Sequence, residues 1–252
     1  LIQGGSVTLA HVIQQRSGRP EVTLLDSFAI EKDAVDALRR LRTVRALKAY
    51  ACTTLMGDAD YNLSQVDAPA VPREERKEAL RWAIKEMVMY PVESACLDVL
   101  DIPSEGLPAG RSAGVLVVSA AEEAVRLCAS PFVAAKVPLQ AVDVPELAQR
   151  NVAALFEDEN RGLAFLRLDE AGMMLTLTFH GELIAVRRGD MNTTQLASPD
   201  ADQRARVRER LVLELQRSLD NFDRQYSHIP ISKVIVACSP AIESILDDLA
   251  ES

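Results

Sequence analysis

The side chains in this chain that could do chemistry are three histidines, four cysteines and a handful of polar turns. His11, His180 and His228 stand alone: none has a second histidine or cysteine three or four residues away, so no zinc-ligand spacing is present. The cysteines (Cys52, Cys96, Cys128, Cys238) are far apart and sit in apolar contexts such as Val236-Ala237-Cys238. They read as small core hydrophobes in a reducing compartment and not as a disulfide framework. Cys238-Ser239-Pro240 falls where a strand gives way to a helix, the position of a nucleophile elbow. It lacks the flanking glycines of a strained elbow, and Ser239 reads as a helix N-cap.

Gln3-Gly4-Gly5-Ser6 is the one glycine run whose backbone amides could hold phosphate. It leads into a strand, has no lysine at P-loop spacing and is not GxGxxG, so a hairpin turn is its predicted role. The acids Glu157-Asp158-Glu159 and Asp247-Asp248 read as solvated charge. Arg204, Arg206, Arg208 and Arg210 read as the salt-bridged face of a long helix. No hydrolytic, redox or metal set emerges, and the expectation is a non-catalytic scaffold with no metal site.

The elements that must carry these residues follow from pattern. With 252 residues and 48% hydrophobic content, the chain can bury one large core or two ordinary lobes. A net charge of −9 argues against nucleic acid and against an anionic membrane surface as partners. No window of about 20 apolar residues is available to span a bilayer, so no direct membrane insertion is expected. Leu1 opens without a basic-then-apolar leader, and the chain reads as starting inside a strand.

Strands are predicted at Val7–Gln14 and Glu21–Phe28, a helix at Glu31–Leu41 and a strand at Leu47–Thr54. After Gly57-Asp58-Ala59-Asp60 comes a block of strand (Tyr61–Val66), helix from Pro72, strands (Ala95–Leu100, Gly114–Ser119) and helix (Ala120–Leu127). The two strands bracket a loop from Pro103 to Arg111. The helix from Pro72 has Leu80, Ile84, Met87 and Val88 as its apolar face. This β-α-β-β-α order is that of an inserted α+β module. Val137–Val142 is a strand, and Asp143-Val144-Pro145-Glu146 has the form of a capping box opening a helix through Phe156. A meander follows (Gly162–Leu168, Met173–Phe179, Glu182–Arg187), then a long helix over Ala201–Tyr226. Val207, Leu211, Leu215, Leu219, Phe222 and Tyr226 form its stripe. A strand at Val234–Ala237 and a helix at Ala241–Leu249 close the chain.

Arg81-Trp82-Ala83-Ile84-Lys85, Tyr90-Pro91-Val92, Asp98, Asp143 through Asn151 and the helix segment Leu213 through Asp220 together resemble the MshI family. These are PilM-like biogenesis proteins of MSHA-type (mannose-sensitive haemagglutinin) type IV pili, in the actin-like superfamily. The resemblance runs along nearly the whole chain. It implies an α/β, actin-like (ribonuclease H-like) two-lobed fold with a small α+β subdomain inserted in the first lobe. Residues 1–54 and 137–158 would form the first lobe, 55–136 the insert and 159–252 the second lobe. It also implies a cytoplasmic scaffold, peripheral to the bacterial inner membrane through its partners. That scaffold would dock on the cytoplasmic tail of a bitopic PilN-like protein, through a groove between the first lobe and the insert, alongside other pilus assembly components.

Laid on the superfamily's ATP site, this chain departs at three turns. At Leu1 to Thr8 only Gly4, Gly5 and Ser6 keep the small-residue character, where PilM-like chains carry an aspartate near Leu1 and a lysine at Thr8. At Arg167 to Glu170 either an arginine stands where the metal-facing aspartate is expected, or the alignment slips to Asp169, with no glycine two residues on. At Cys238 to Pro240 side chains replace a glycine pair, whereas Arg187 matches PilM-like relatives. The implied site is degenerate, with no cofactor and no Mg-ATP hydrolysis. Two alternatives are a GspL-like cytoplasmic domain of a type II secretion system and a residual actin-like ATPase using Asp169.

Overall fold

The computed structural model describes residues 1–16, 18–72, 74–104 and 114–242. The chain divides into two compact units, Leu1–Leu100 with Val115–Pro145 and Asp101–Gly114 with Glu146–Ser252.

The first unit opens with β1 (Ile2–Gln3), β2 (Ser6–Ile13) and β3 (Glu21–Ala29), antiparallel and in that order. A bulge between His11 and Val12 shifts the β2–β3 register. Helix α1 spans Ala34–Val44, three residues later than predicted at both ends. The reason is its cap: Asp33 accepts from the Asp36 amide at 2.8 Å, so helical geometry starts only after it. The strand expected from Leu47 begins late as well. Leu47–Ala49 form a 3-10 turn entered through Ala46 at φ 51°, and β4 is Cys52–Leu55.

The chain continues with β5 (Asn62–Asp67), α2 (Arg76–Ala83), β6 (Cys96–Asp101), β7 (Gly114–Ala120) and α3 (Glu122–Ala135). β5, β7 and β6 form a separate sheet in the order β5-β7-β6. Pro72 lies before α2 and not in its first turn, and α2 stops at Ala83, with a 3-10 turn over Lys85–Met87. Of its predicted apolar face, Leu80 and Ile84 are fully buried while Met87 is half exposed. Full burial of two such side chains stabilises by about 1.5–3 kcal/mol each. Helix α3 runs eight residues past its predicted end and through Pro131, because Phe132 and Ala135 anchor its last turn in the core. Residues 105–111 of the predicted Pro103–Arg111 loop lie outside the described residues. Strand β8 (Leu139–Asp143) pairs parallel with β4. Val7, Leu38, Leu41, Phe132 and Val137 form one core of this unit, and Leu80, Ile84, Val92, Val115 and Val117 another.

The second unit contains α4 (Pro145–Ala153), with proline at its first position, as a residue without an amide hydrogen favours. At the predicted capping box, Asp143 lies in β8 and its carboxylate accepts from the Val144 amide, and the Glu146 carboxylate binds Arg188. The meander is β9 (Gly162–Leu168), β10 (Met173–Phe179) and β11 (Glu182–Gly189). A short helix, α5 (Thr193–Leu196), is closed by a capping box between Asn192 and Gln195 that the pattern reading missed. Helix α6 (Ala201–Gln225) is capped by Asp200 and buries Val207, Leu211, Leu215, Ser218 and Phe222. Strand β12 (Ile231–Ala237) lies parallel to β9, giving the order β11-β10-β9-β12. The final helix predicted at Ala241–Leu249 lies outside the described residues from 243 on. No helix among the described residues is long and apolar enough to cross a membrane.

Candidate functional site

Two places could carry function: the turns where an actin-like ATP site would lie, and a groove in the first unit. At the first turn, Gly4 (φ +55°) and Gly5 (φ +75°) are the two central residues of a two-residue hairpin joining β1 to β2. Both take left-handed geometry, which favours glycine there. The Ser6 hydroxyl donates to the Gln3 carbonyl at 3.0 Å, inside the turn.

Strands β9 and β12 are parallel neighbours, with Arg167 opposite Ala237. The turns that follow them, at Asp169 and Cys238, therefore leave the same end of the sheet, where open α/β sheets place ligands. Asp169 is already engaged. Its Oδ1 accepts from the amides of Ala171 (2.9 Å) and Gly172 (3.2 Å), and its Oδ2 lies 3.0 Å from Arg167 Nε. The Arg167 contact is one of charge, since Nε is not aligned to hydrogen-bond. The Asp169 amide donates to the Gly172 carbonyl and its carbonyl accepts from Thr193, so the residue is a turn organiser. A cation, Arg167, stands where a magnesium-holding acid would be needed, and the Asp169 carboxylate faces that cation. At the third turn, Ser239 accepts from the Ile242 amide at 3.0 Å as Pro240–Ile242 form a 3-10 turn. This donor set does not fit Mg-ATP, which needs free carboxylates for the metal and close backbone approach for phosphate.

One stability prediction arises here. Asp169→Ala removes the acceptor for two turn amides and should lower stability by about 1 kcal/mol in urea unfolding. Asp169→Asn keeps an acceptor and should recover most of it.

The remaining isolated candidates take structural places. His11 Nδ1 contacts Thr23 Oγ1 at 2.7 Å, and His180 contacts Asn160. No metal-ligand cluster exists among the described residues. None of the four cysteines is in a disulfide; burial pushes the Cys52 and Cys128 thiols up, away from the reactive thiolate. Cys96 is exposed, against the expectation of a core position: its side chain shares the exposed face of β6 with Asp98, alternating with the half-buried Leu97 and Val99. Of the four arginines expected on a salt-bridged face, Arg210 pairs with Asp190 at 3.0 Å, while Arg204 Nη1 donates to the Ser198 carbonyl.

The groove, of about 350 Å³, lies wholly within the first unit. Met56, Val118, Ala120, Val125, Val142 and Val144 give it an apolar lining, and Lys77, Cys96, Leu97 and Asp98 complete it. Of the motif residues that carry the resemblance, Asp98 lines the groove, while Arg81, Trp82, Lys85 and Tyr90 make contacts in the same unit outside its lining. Arg81 donates to the carbonyls of Val92 and Ala95, tying α2 to the approach to β6. Tyr90 contacts Ser119 on β7 at 2.9 Å. Lys85 Nζ sits 5.0 Å from the Trp82 ring centre, and Asp98 bridges Lys77. The groove is not legible in the sequence, because its walls come from segments up to 88 positions apart (Met56 to Val144).

The chain has the actin-like α/β fold with β-sheet and helices in both units, as comparison with solved structures shows. One is a chain of the PilM-PilN type IV pilus biogenesis complex, at TM-score 0.72 and 19% identity, covering 98% of this chain and 83% of that one. A second is the cytoplasmic domain of EpsL, an inner-membrane component of the type II secretion system of Vibrio cholerae. It matches at TM-score 0.50 and 13% identity, over 98% of this chain and 90% of that one. No family model matches the sequence, and no curated protein matches it. Likeness at these identities is a likeness of fold.

Proposed function

We propose that this chain is a cytoplasmic docking scaffold in type IV pilus biogenesis, of the MSHA-type MshI kind, with a degenerate nucleotide site and no catalytic activity. Its ligand is the short cytoplasmic tail of a PilN-like bitopic inner-membrane protein, through which it sits at the membrane and meets other assembly components. The groove carries this reading: an apolar channel with a few polar groups at its rim suits an extended peptide better than a charged nucleotide. A solved structure of the same fold comes from a complex that contains PilN. The Arg167–Asp169 contact supports the degenerate-site part.

Fluorescence anisotropy with a labelled tail peptide from the PilN-type protein of the same organism tests docking. Val118→Asp puts a carboxylate into the apolar lining and should weaken binding at least about 100-fold with little change in melting temperature. Binding that is unaltered by this change refutes the groove as the site. The EpsL likeness supports a second reading, a type II secretion component of the GspL kind. Preference for a tail peptide from that system over the PilN-type tail would favour it.

A further inference from the structure

The edge of β6 shows how a ligand can be held in that groove. β6 is an outer strand of the β5-β7-β6 sheet, and among the described residues only β7 pairs with it. In a strand, amides and carbonyls of alternate residues point to the same side. Ile102 donates to the Gly114 carbonyl, so the even-numbered residues face β7 and Leu97 and Val99 face outward. Two of the outward groups are bonded to side chains. The Leu97 carbonyl accepts from Lys77 Nζ at 3.3 Å, and the Val99 amide donates to Asp98 Oδ1 at 3.1 Å. Lys77 also reaches the same Oδ1 at 3.4 Å, so the two side chains close over the edge together. Cys96, Leu97 and Asp98 all line the groove. Consecutive side chains of a strand face opposite ways, so a groove that touches all three runs along the strand's edge.

We propose that the groove takes its ligand as an added strand. This rests on the docking reading above and specifies its chemistry. An extended segment of the partner's tail pairs its backbone with the outer edge of β6, taking over the Leu97 carbonyl and the Val99 amide from Lys77 and Asp98. Alternate apolar side chains of the segment enter the lining at Val118, Ala120 and Val142. Lys77 and Asp98 are a guard pair. Their side chains are 61% and 79% exposed, and ion pairs this exposed are held weakly and give way readily. In the unliganded protein they blunt an edge that would otherwise recruit other strands.

A scan of the PilN-type tail peptide, N-methylated at one backbone amide at a time, tests the proposal alongside hydrogen exchange of the Val99 amide. Methylation at alternate positions should weaken binding about tenfold each and leave the intervening positions unaffected, and Val99 exchange should slow on binding. Lys77→Met should raise self-association of the free protein. If the unmodified peptide binds but no methylation matters and Val99 exchange is unchanged, strand addition is overturned while docking stands. If the unmodified peptide does not bind, the docking reading falls and this proposal falls with it.

Discussion

Replacing Gly172 by alanine should cost this protein about 3 kcal/mol or more of unfolding free energy. Gly172 sits at φ +144°, a conformation L side chains rarely adopt, and a Cβ there would lie 2.4 Å from the Gly189 carbonyl oxygen. The obstacle is backbone of the neighbouring strand, so no side chain can swing away to relieve it. Strain at such a position and overpacking each cost on the order of 1–3 kcal/mol, and here both apply. Because Asp169 holds the same turn by accepting from the Gly172 amide, Asp169→Ala in the Gly172→Ala background should add less than its own cost in the native background. Chemical denaturation of the four proteins of that cycle measures both effects. A Gly172→Ala protein within about 0.5 kcal/mol of the parent would contradict the described turn.

Arg188→Ala should destabilise by about 2–3 kcal/mol. Arg188 reaches Glu146 with its Nε at 2.9 Å and its Nη2 at 2.7 Å, and the Glu146 side chain is only 3% exposed. Removing one partner of a buried pair costs roughly 3–5 kcal/mol, since it strands a charge in a poorly solvated place. The lower figure applies because the Arg188 side chain is itself 35% exposed, leaving water a path to the carboxylate. The controls separate charge from packing. Arg188→Ala with Glu146→Gln should regain much of the loss, and Glu146→Leu with Arg188→Met should lie near the parent. Equal losses in all three variants would mean that the pair contributes through packing alone.

Sequence patterns located the second unit's elements well, because its strands alternate with clear turn residues and α6 has a regular stripe. β9 and β10 were delimited to the residue, and α6 to one residue. The misses share a cause: local signals overridden by contacts distant in sequence. Glu146 has capping-box spacing, but Arg188, 42 positions away, holds its carboxylate. Helix α3 carries Pro131, yet Phe132 keeps its last turn in the core. Leu47 reads as strand, yet Ala46 takes left-handed geometry and delays β4 by a turn. At the candidate site, the sequence showed which residues stand at the three turns but not their engagement. That Asp169 holds two amides and faces Arg167 is visible only in three dimensions. The guard pair over β6 was invisible for the same reason, since Lys77 and Asp98 are 21 positions apart on a helix and a strand.

Docking in place of nucleotide chemistry is tested most directly by calorimetric titration of the same protein with two ligands, the PilN-type tail peptide and ATP with magnesium. Saturable heats with the peptide, lost in Val118→Asp, and no binding heat with Mg-ATP in either protein are the expected result. Micromolar Mg-ATP binding that disappears in Asp169→Ala, with no heat from the peptide, would contradict it.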